Sequence, residues 1–173
     1  MLLRTRPIGV IETPTNTLLY CLREYTVPFI KEVKSRIDEY QALYHSEKLK
    51  PLEISDEYDL FPAKEGDSIN NGWPNTYPNS ERQGIYLILS ENHKLLYVGK
   101  ASMGNTIGGR LGSYFMYDDD RKSCKIRHTW TKKPKYIITV AVPMEAPFEA
   151  PALEEYLISS FKGDLPDNFM GAR

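Results

Sequence analysis

Apolar residues recur at helical spacing at Leu18, Leu22, Tyr25, Phe29, Val33, Ile37, Tyr40 and Tyr44, which predicts one long helix over Thr15 to Lys48. Pro28 falls inside that stretch and should kink or split it. The stripe suits an amphipathic helix packed on the rest of the chain. A target-recognition or dimerisation element would show the same stripe, and the pattern does not choose. Asp67 to Ser80 is dense in Asn, Pro and Ser, which is loop chemistry. Beyond it the pattern alternates. Strands are predicted at Gly84–Leu89 and Lys94–Gly99 with a turn over Ser90 to His93, then a helix over Ile107–Tyr117 and a basic loop. A β-branched strand at Lys135–Val142 and a last helix over Pro147–Phe161 complete the chain, with Pro147 and Pro151 tolerable in that helix's first turns. The order β-β-α-β-α predicts an α+β unit with a small three-stranded antiparallel sheet flanked by helices. A mainly helical N-terminal region precedes it. The expected division is residues 1–80, an extension of unknown role, and 81–173, the sheet unit.

Composition narrows the class without naming a function. At 173 residues, 41% hydrophobic and 26% charged, the chain suits one globular domain with an attachment. The first residues contain no apolar core of a signal peptide, and the longest uncharged apolar run, Tyr136 to Met144, is too short to span a bilayer. Cys21 and Cys124 make neither a disulfide framework nor a four-ligand zinc site, and read as free thiols of a cytoplasmic protein.

The net charge of -1 speaks against a polyanion-binding protein only while it is averaged. Residues 1–80 hold 9 Lys+Arg against 12 Asp+Glu, whereas residues 81–173 hold 13 against 11. Within the second part, Arg121, Lys122, Lys125, Arg127, Lys132, Lys133 and Lys135 place seven cations in fifteen residues with no acid. His128 and Trp130 interleave that run, which suits a nucleic-acid footprint better than a merely solvated loop.

Pairing the hairpin through Glu91-Asn92 sets Ser90 opposite His93, Ile88 opposite Leu95 and Tyr86 opposite Tyr97. The two tyrosines then share a face, as an ordinary aromatic pair would or as parts of a site. On the helix that follows, Ile107, Leu111 and Phe115 form the apolar stripe, with Arg110 and Tyr114 one turn apart on its flank. Gly108 and Gly109 permit close approach of a phosphate backbone or, equally, a tight turn into the helix. On the last helix Glu154 falls beside the stripe of Leu153, Tyr156, Leu157 and Phe161, and Glu155 falls opposite it. Glu154 is therefore the carboxylate placed to reach a site. Asp118, Asp119 and Asp120, past the end of the preceding helix, suit a loop better than a metal cluster.

Gly84-Ile85-Tyr86 and Tyr97-Val98-Gly99, at hairpin spacing, together resemble the GIY-YIG nuclease family. The stretch YVGKASMGNTIGGRLGSYF is similar to the nuclease domain at the amino-terminus of bacterial excision-repair endonucleases, with about three extra residues before Arg110. ALEEYLISSFKGDLPDN resembles the family's closing motif, a helical glutamate at Glu154 followed by a loop asparagine at Asn168. The resemblance covers roughly residues 82–170.

It implies a metal-dependent DNA endonuclease of restriction, defence or repair type. Tyr86 and Tyr97 would line the site, one of them acting on the attacking water. Lys100 would stand beside them, Arg110 would hold the scissile phosphate, and Tyr114 would fill a position that is often histidine or tyrosine. Glu154 would bind one Mg²⁺ or Mn²⁺, and Asn168 would support the centre. Tyr86, assisted by Lys100, is the favoured base, which requires its pKa to fall below the usual value of about 10. Glu154 as sole ligand argues for one metal ion. His93 and His128 are expected as bystanders, His128 within the DNA-binding loop. The partner would be duplex DNA, and a double-strand cut from one site per chain would call for a homodimer or two sequential nicks. A catalytically inactive DNA-binding module, and a purely structural partner, are the competing readings.

Overall fold

All seven residues of Gly84–Ser90 (β3) are buried, and the reason is its place in the sheet. The computed structural model describes residues 30–61, 77–117, 124–161 and 164–168. In chain order the described elements begin with helix Ile30–Leu43 (α1) and the two-residue strands Glu53–Ile54 (β1) and Tyr58–Asp59 (β2). After β3 come strand Leu95–Ala101 (β4), helix Ile107–Tyr114 (α2) and strands Phe115–Tyr117 (β5) and Cys124–Ile126 (β6). Strand Pro134–Ala141 (β7) and helix Glu149–Phe161 (α3) follow. β3 lies between β7 and β4, antiparallel to both. Its alternate residues feed two cores, as a strand covered on both faces must. Ile85, Leu87 and Leu89 pack with α1 and α3, while Tyr86 and Ile88 pack with Ile107 and Leu111 of α2.

The three expected strands are present, and the sheet is wider than expected because β1 and β2 both pair antiparallel with β7. The described part of the N-terminal region is thus one helix and two short strands, and it shares its core with the rest: Val33, Ile37 and Tyr40 of α1 are buried with Leu153 and Leu157 of α3. α1 ends at Leu43 rather than Lys48; Pro28, Cys21 and the stretch before Ile30 lie outside the described residues. α2 ends three residues early, because Phe115 turns to extended geometry and opens a hairpin with β6 that the short Phe115–Tyr117 run did not announce. α3 begins at Glu149, with Pro151 in its first turn as expected.

The hairpin register corrects the expected pairing. Tyr86 stands opposite Gly99, and Tyr97 opposite Ile88. Two extra residues account for the shift. His93 adopts φ 54° and Ser90 N–H bonds the Lys94 carbonyl at 2.9 Å, so the turn holds three residues rather than two. Leu96 is then extra on β4, since Leu89 pairs with Leu95 while Ile88 pairs with Tyr97. Each slip alone would flip the faces; together they restore them, and both tyrosines remain on the α2 side.

The two glycines of the paired tripeptides are steric necessities. A Cβ on Gly84 (φ 156°) would lie 2.0 Å from the Val140 carbonyl oxygen of β7. A Cβ on Gly99 would lie 2.5 Å from the Tyr86 hydroxyl and 2.6 Å from the Tyr97 ring. Gly99 is the space that Tyr86 fills. Gly108 settles the choice left open above: its Cβ would meet Ser80 at 2.8 Å, and its N–H bonds the Ser80 carbonyl at 2.8 Å, so the chain's own backbone makes the close approach.

One buried polar contact joins α1's exit to α3's start. His45 Nδ1 lies 2.7 Å from the Glu149 carboxylate, the side chains being 5% and 6% exposed, and Nε2 lies 2.9 Å from the Lys50 carbonyl. His45→Ala strands that carboxylate, and urea denaturation is expected to show a loss of about 3 kcal/mol. Gly99→Ala forces the Tyr86 ring from its slot, with an expected loss of about 1–3 kcal/mol and displaced Tyr86 ring resonances in NMR spectra.

Candidate active site

Three tyrosines meet on the α2 side of the sheet. Tyr86 is fully buried and its hydroxyl donates to the Tyr114 hydroxyl at 3.4 Å; the Tyr97 hydroxyl lies 3.5 Å from the same atom. Ring centroids are 6.2 Å apart for Tyr86 and Tyr97, and 6.0 Å from each to Tyr114. Tyr114 is thus the hub, held by α2 one turn beyond Arg110. Arg110 is exposed, and its strongest electrostatic partner is Tyr86.

Burial raises the Tyr86 phenol well above its ordinary value, the hydrogen bond and charge of Tyr114 and the charge of Tyr97 adding to it; Arg110 opposes this without reversing it. Tyr97 shifts the same way, first through burial, then through Tyr114 and the charge of Glu154. The direction is opposite to the one a tyrosine base requires. Burial thus favours the protonated form of both phenols, and Tyr86 donates its proton toward Tyr114.

Successive β4 side chains point to opposite faces, so Lys100 emerges on the α3 side, next to Gly99. There its ammonium pairs with the Glu154 carboxylate in a very short contact. Glu154 is buried and its neighbour Glu155 exposed, as the helical angles require. Lys100 therefore serves the carboxylate rather than assisting Tyr86, contrary to the expectation above. Glu154 still acts on Tyr97 across the strand, so the two halves form one site. Among the described residues no group of three or more His, Cys, Asp or Glu gathers.

β4 is an edge strand, and Asn168 covers its free side. The Asn168 side chain accepts from Val98 N–H at 2.9 Å and donates to the Val98 carbonyl at 2.7 Å, imitating a neighbouring strand between Tyr97 and Gly99. Asp167 N–H bonds the Leu96 carbonyl at 3.2 Å, and its buried carboxylate accepts from the Thr131 N–H and hydroxyl at 3.0 and 2.9 Å. Asp167 thus ties the edge to the basic loop. No motif marked it, since its partners are distant in sequence.

The basic run divides. Arg121 and Lys122, with Asp118–Asp120, lie outside the described residues. Lys125, Arg127 and Lys132 are exposed, Arg127 against the Met116 sulfur. Lys133 sits 4.3 Å over the Phe61 ring, and Lys135 lies 5.4 Å over Tyr136 and 3.8 Å from Glu91, so both have partners within the fold. Trp130 packs edge-on to Tyr97 and Tyr114 and stacks on Phe115, and the His128 ring is 5.0 Å from Tyr114. Both belong to the wall of the site, which the sequence had assigned to the loop. His93 instead stacks on Tyr136 at 4.4 Å and pairs with Glu57, away from the tyrosines. Cys124 is buried at the start of β6.

No helix among the described residues is long and apolar enough to cross a membrane. No curated protein and no solved structure matches the chain. Residues 82–164 match the family model of the GIY-YIG catalytic domain, spanning both tripeptides, Arg110 and Glu154. With the sheet, the tyrosine cluster and the helical glutamate in one place, residues 82–164 are a domain of the GIY-YIG nuclease family.

Proposed function

We propose that the chain is a divalent-metal-dependent endonuclease that hydrolyses DNA phosphodiester bonds at the junction of β4, α2 and α3. The observation that carries this reading is the convergence around one edge strand of three tyrosines, an exposed arginine and a buried carboxylate. Arg110 binds the phosphate, its planar fork matching two phosphoryl oxygens. The half-buried Tyr97 and Tyr114 offer hydroxyls that orient the attacking water and the phosphoryl oxygens, and the buried Tyr86 supports Tyr114 from beneath.

Glu154 fits a single Mg²⁺ or Mn²⁺. Its carboxylate is a hard oxygen donor, and the Lys100 ammonium now paired with it would have to give way to the ion. The ion, when bound, supplies charge neutralisation at the phosphate and a more acidic water. Lys100 holds the carboxylate oriented until then, and afterwards is free to meet the phosphate backbone. Lys125, Arg127 and Lys132 extend the cationic surface for duplex DNA. Whether each chain cuts one strand or two copies act together is read from the ends of the product.

Supercoiled plasmid should be relaxed or linearised in Mg²⁺, and chelation should stop it. Glu154→Gln and Arg110→Ala should each lower the cleavage rate at least about 100-fold with an unchanged circular dichroism spectrum. Undiminished cleavage in both variants defeats the assignment, and DNA binding without cleavage by the parent chain would make it an inactive binding module.

The raised phenols give a separate test. Above pH about 10 the unfolded chain releases tyrosine protons that folded Tyr86 and Tyr97 retain, so stability contributed by the neutral pair falls as pH rises beyond that point. Ultraviolet titration should show the two phenolates only as the protein unfolds; their ionisation in the folded chain near neutrality would restore the tyrosine base.

A further inference from the structure

Three non-glycine residues among those described have positive φ, and two are explained by the fold. Asn79 (φ 54°) donates its amide to the Thr139 hydroxyl at 3.1 Å, and His93 (φ 54°) stacks on Tyr136 while closing the β3–β4 turn. The third is Met103 (φ 53°), whose side chain is 95% exposed. Gly104 follows at φ 85°, and Asn105 N–H bonds the Ser102 carbonyl at 3.1 Å. Two consecutive positive φ values inside an i→i+3 bond make Met103-Gly104 the centre of a type I′ turn.

Such turns favour Asn, Asp or Gly at the first central position. A methionine there carries unfavourable left-handed backbone geometry and recovers nothing by burial. A side chain reinforces the bond that closes the turn, and the turn stands clear of the rest of the fold. The Asn105 side-chain amide also bonds the Ser102 carbonyl at 3.2 Å, and a Cβ on Gly104 would meet no atom within 4 Å. The loop therefore presents one long apolar side chain outward on a braced support. Both legs of that loop belong to the active site: β4, with Tyr97 and Lys100, leads in, and α2, with Arg110 and Tyr114, leads out.

We propose that Met103 is a wedge that inserts between base steps of duplex DNA next to the scissile phosphate. The inference rests on the DNA-hydrolysis reading above and adds how the duplex is gripped. Apolar side chains, methionine among them, partially unstack a base step and kink the duplex. A flexible, polarisable thioether suits the opened faces of different bases. The kink would turn the backbone toward Arg110. Because pyrimidine–purine steps unstack most readily, the wedge also supplies a preference for cutting beside them without any base-edge hydrogen bond.

Met103→Asn suits the turn, so the variant should fold with an equal or higher melting temperature. Cleavage positions are first mapped on plasmid with the parent chain. Short duplexes carrying 2-aminopurine at the steps flanking those positions are then bound to Glu154→Gln, with and without Met103→Asn. The expected result is a fluorescence rise with Glu154→Gln alone, lost with Met103→Asn, together with binding weakened at least about tenfold. Met103→Leu should retain both. Equal affinity and an equal fluorescence rise with Met103→Asn overturn the wedge, as does a parent that cleaves DNA without any rise. A parent chain that neither binds nor cleaves DNA overturns the underlying reading and this inference together.

Discussion

The fixed backbone of β4 between Tyr97 and Lys100 is the constraint on which the site depends. On one side it is held by the ladder to β3, and on the other by the two hydrogen bonds of Asn168 to Val98. An edge strand without such a partner leaves its polar groups to water and its twist unconstrained. Here the edge must be rigid, because alternate β4 residues serve different halves of the site. Tyr97 faces the tyrosine cluster, Gly99 clears the space for Tyr86, and Lys100 reaches Glu154. A rotation of this strand would disturb all three at once. Asn168 is therefore a positioning residue that acts through backbone.

Parity explains why the site was legible although the pairing was not. The strands and the helical faces follow from periods of 2 and 3.6, and those separated Glu154 from Glu155 correctly. Pair partners depend on turn geometry. The left-handed His93 and the extra Leu96 each shift the register by one residue, and neither has a signature in the local apolar pattern. Two slips move Tyr86 from Tyr97 to Gly99 and leave the shared face intact. The same correction supplies a reason for the glycine in the second tripeptide, which no strand pattern could provide.

What the sequence could not carry is the surroundings of a side chain. Tyr86 was expected to be made acidic by Lys100, yet the alternation that puts Tyr97 toward α2 sends Lys100 toward α3. Burial then becomes the largest influence on the phenol, and burial favours the neutral form. In the basic run, likewise, charge counting treated seven cations alike. Phe61, Tyr136 and Glu91 engage Lys133 and Lys135, and Phe61 and Glu91 lie more than forty residues away in the chain.

Protonated tyrosines change the electrostatic balance of the site. The neutral forms of Tyr86 and Tyr97 add no anion beside Glu154, which faces Lys100 on one side while Arg110 stands by the tyrosines on the other. On the proposed function, two cations there would attract a phosphodiester before any metal, and a bound phosphate would offset the repulsion that a divalent ion meets from Lys100 and Arg110. Substrate and metal would thereby be coupled, each supplying the charge that the other needs. Phenolates in place of the phenols would repel the phosphate. The burial that favours the neutral forms of Tyr86 and Tyr97, and so works against either as a base, would on the proposed function also keep negative charge away from an approaching phosphate.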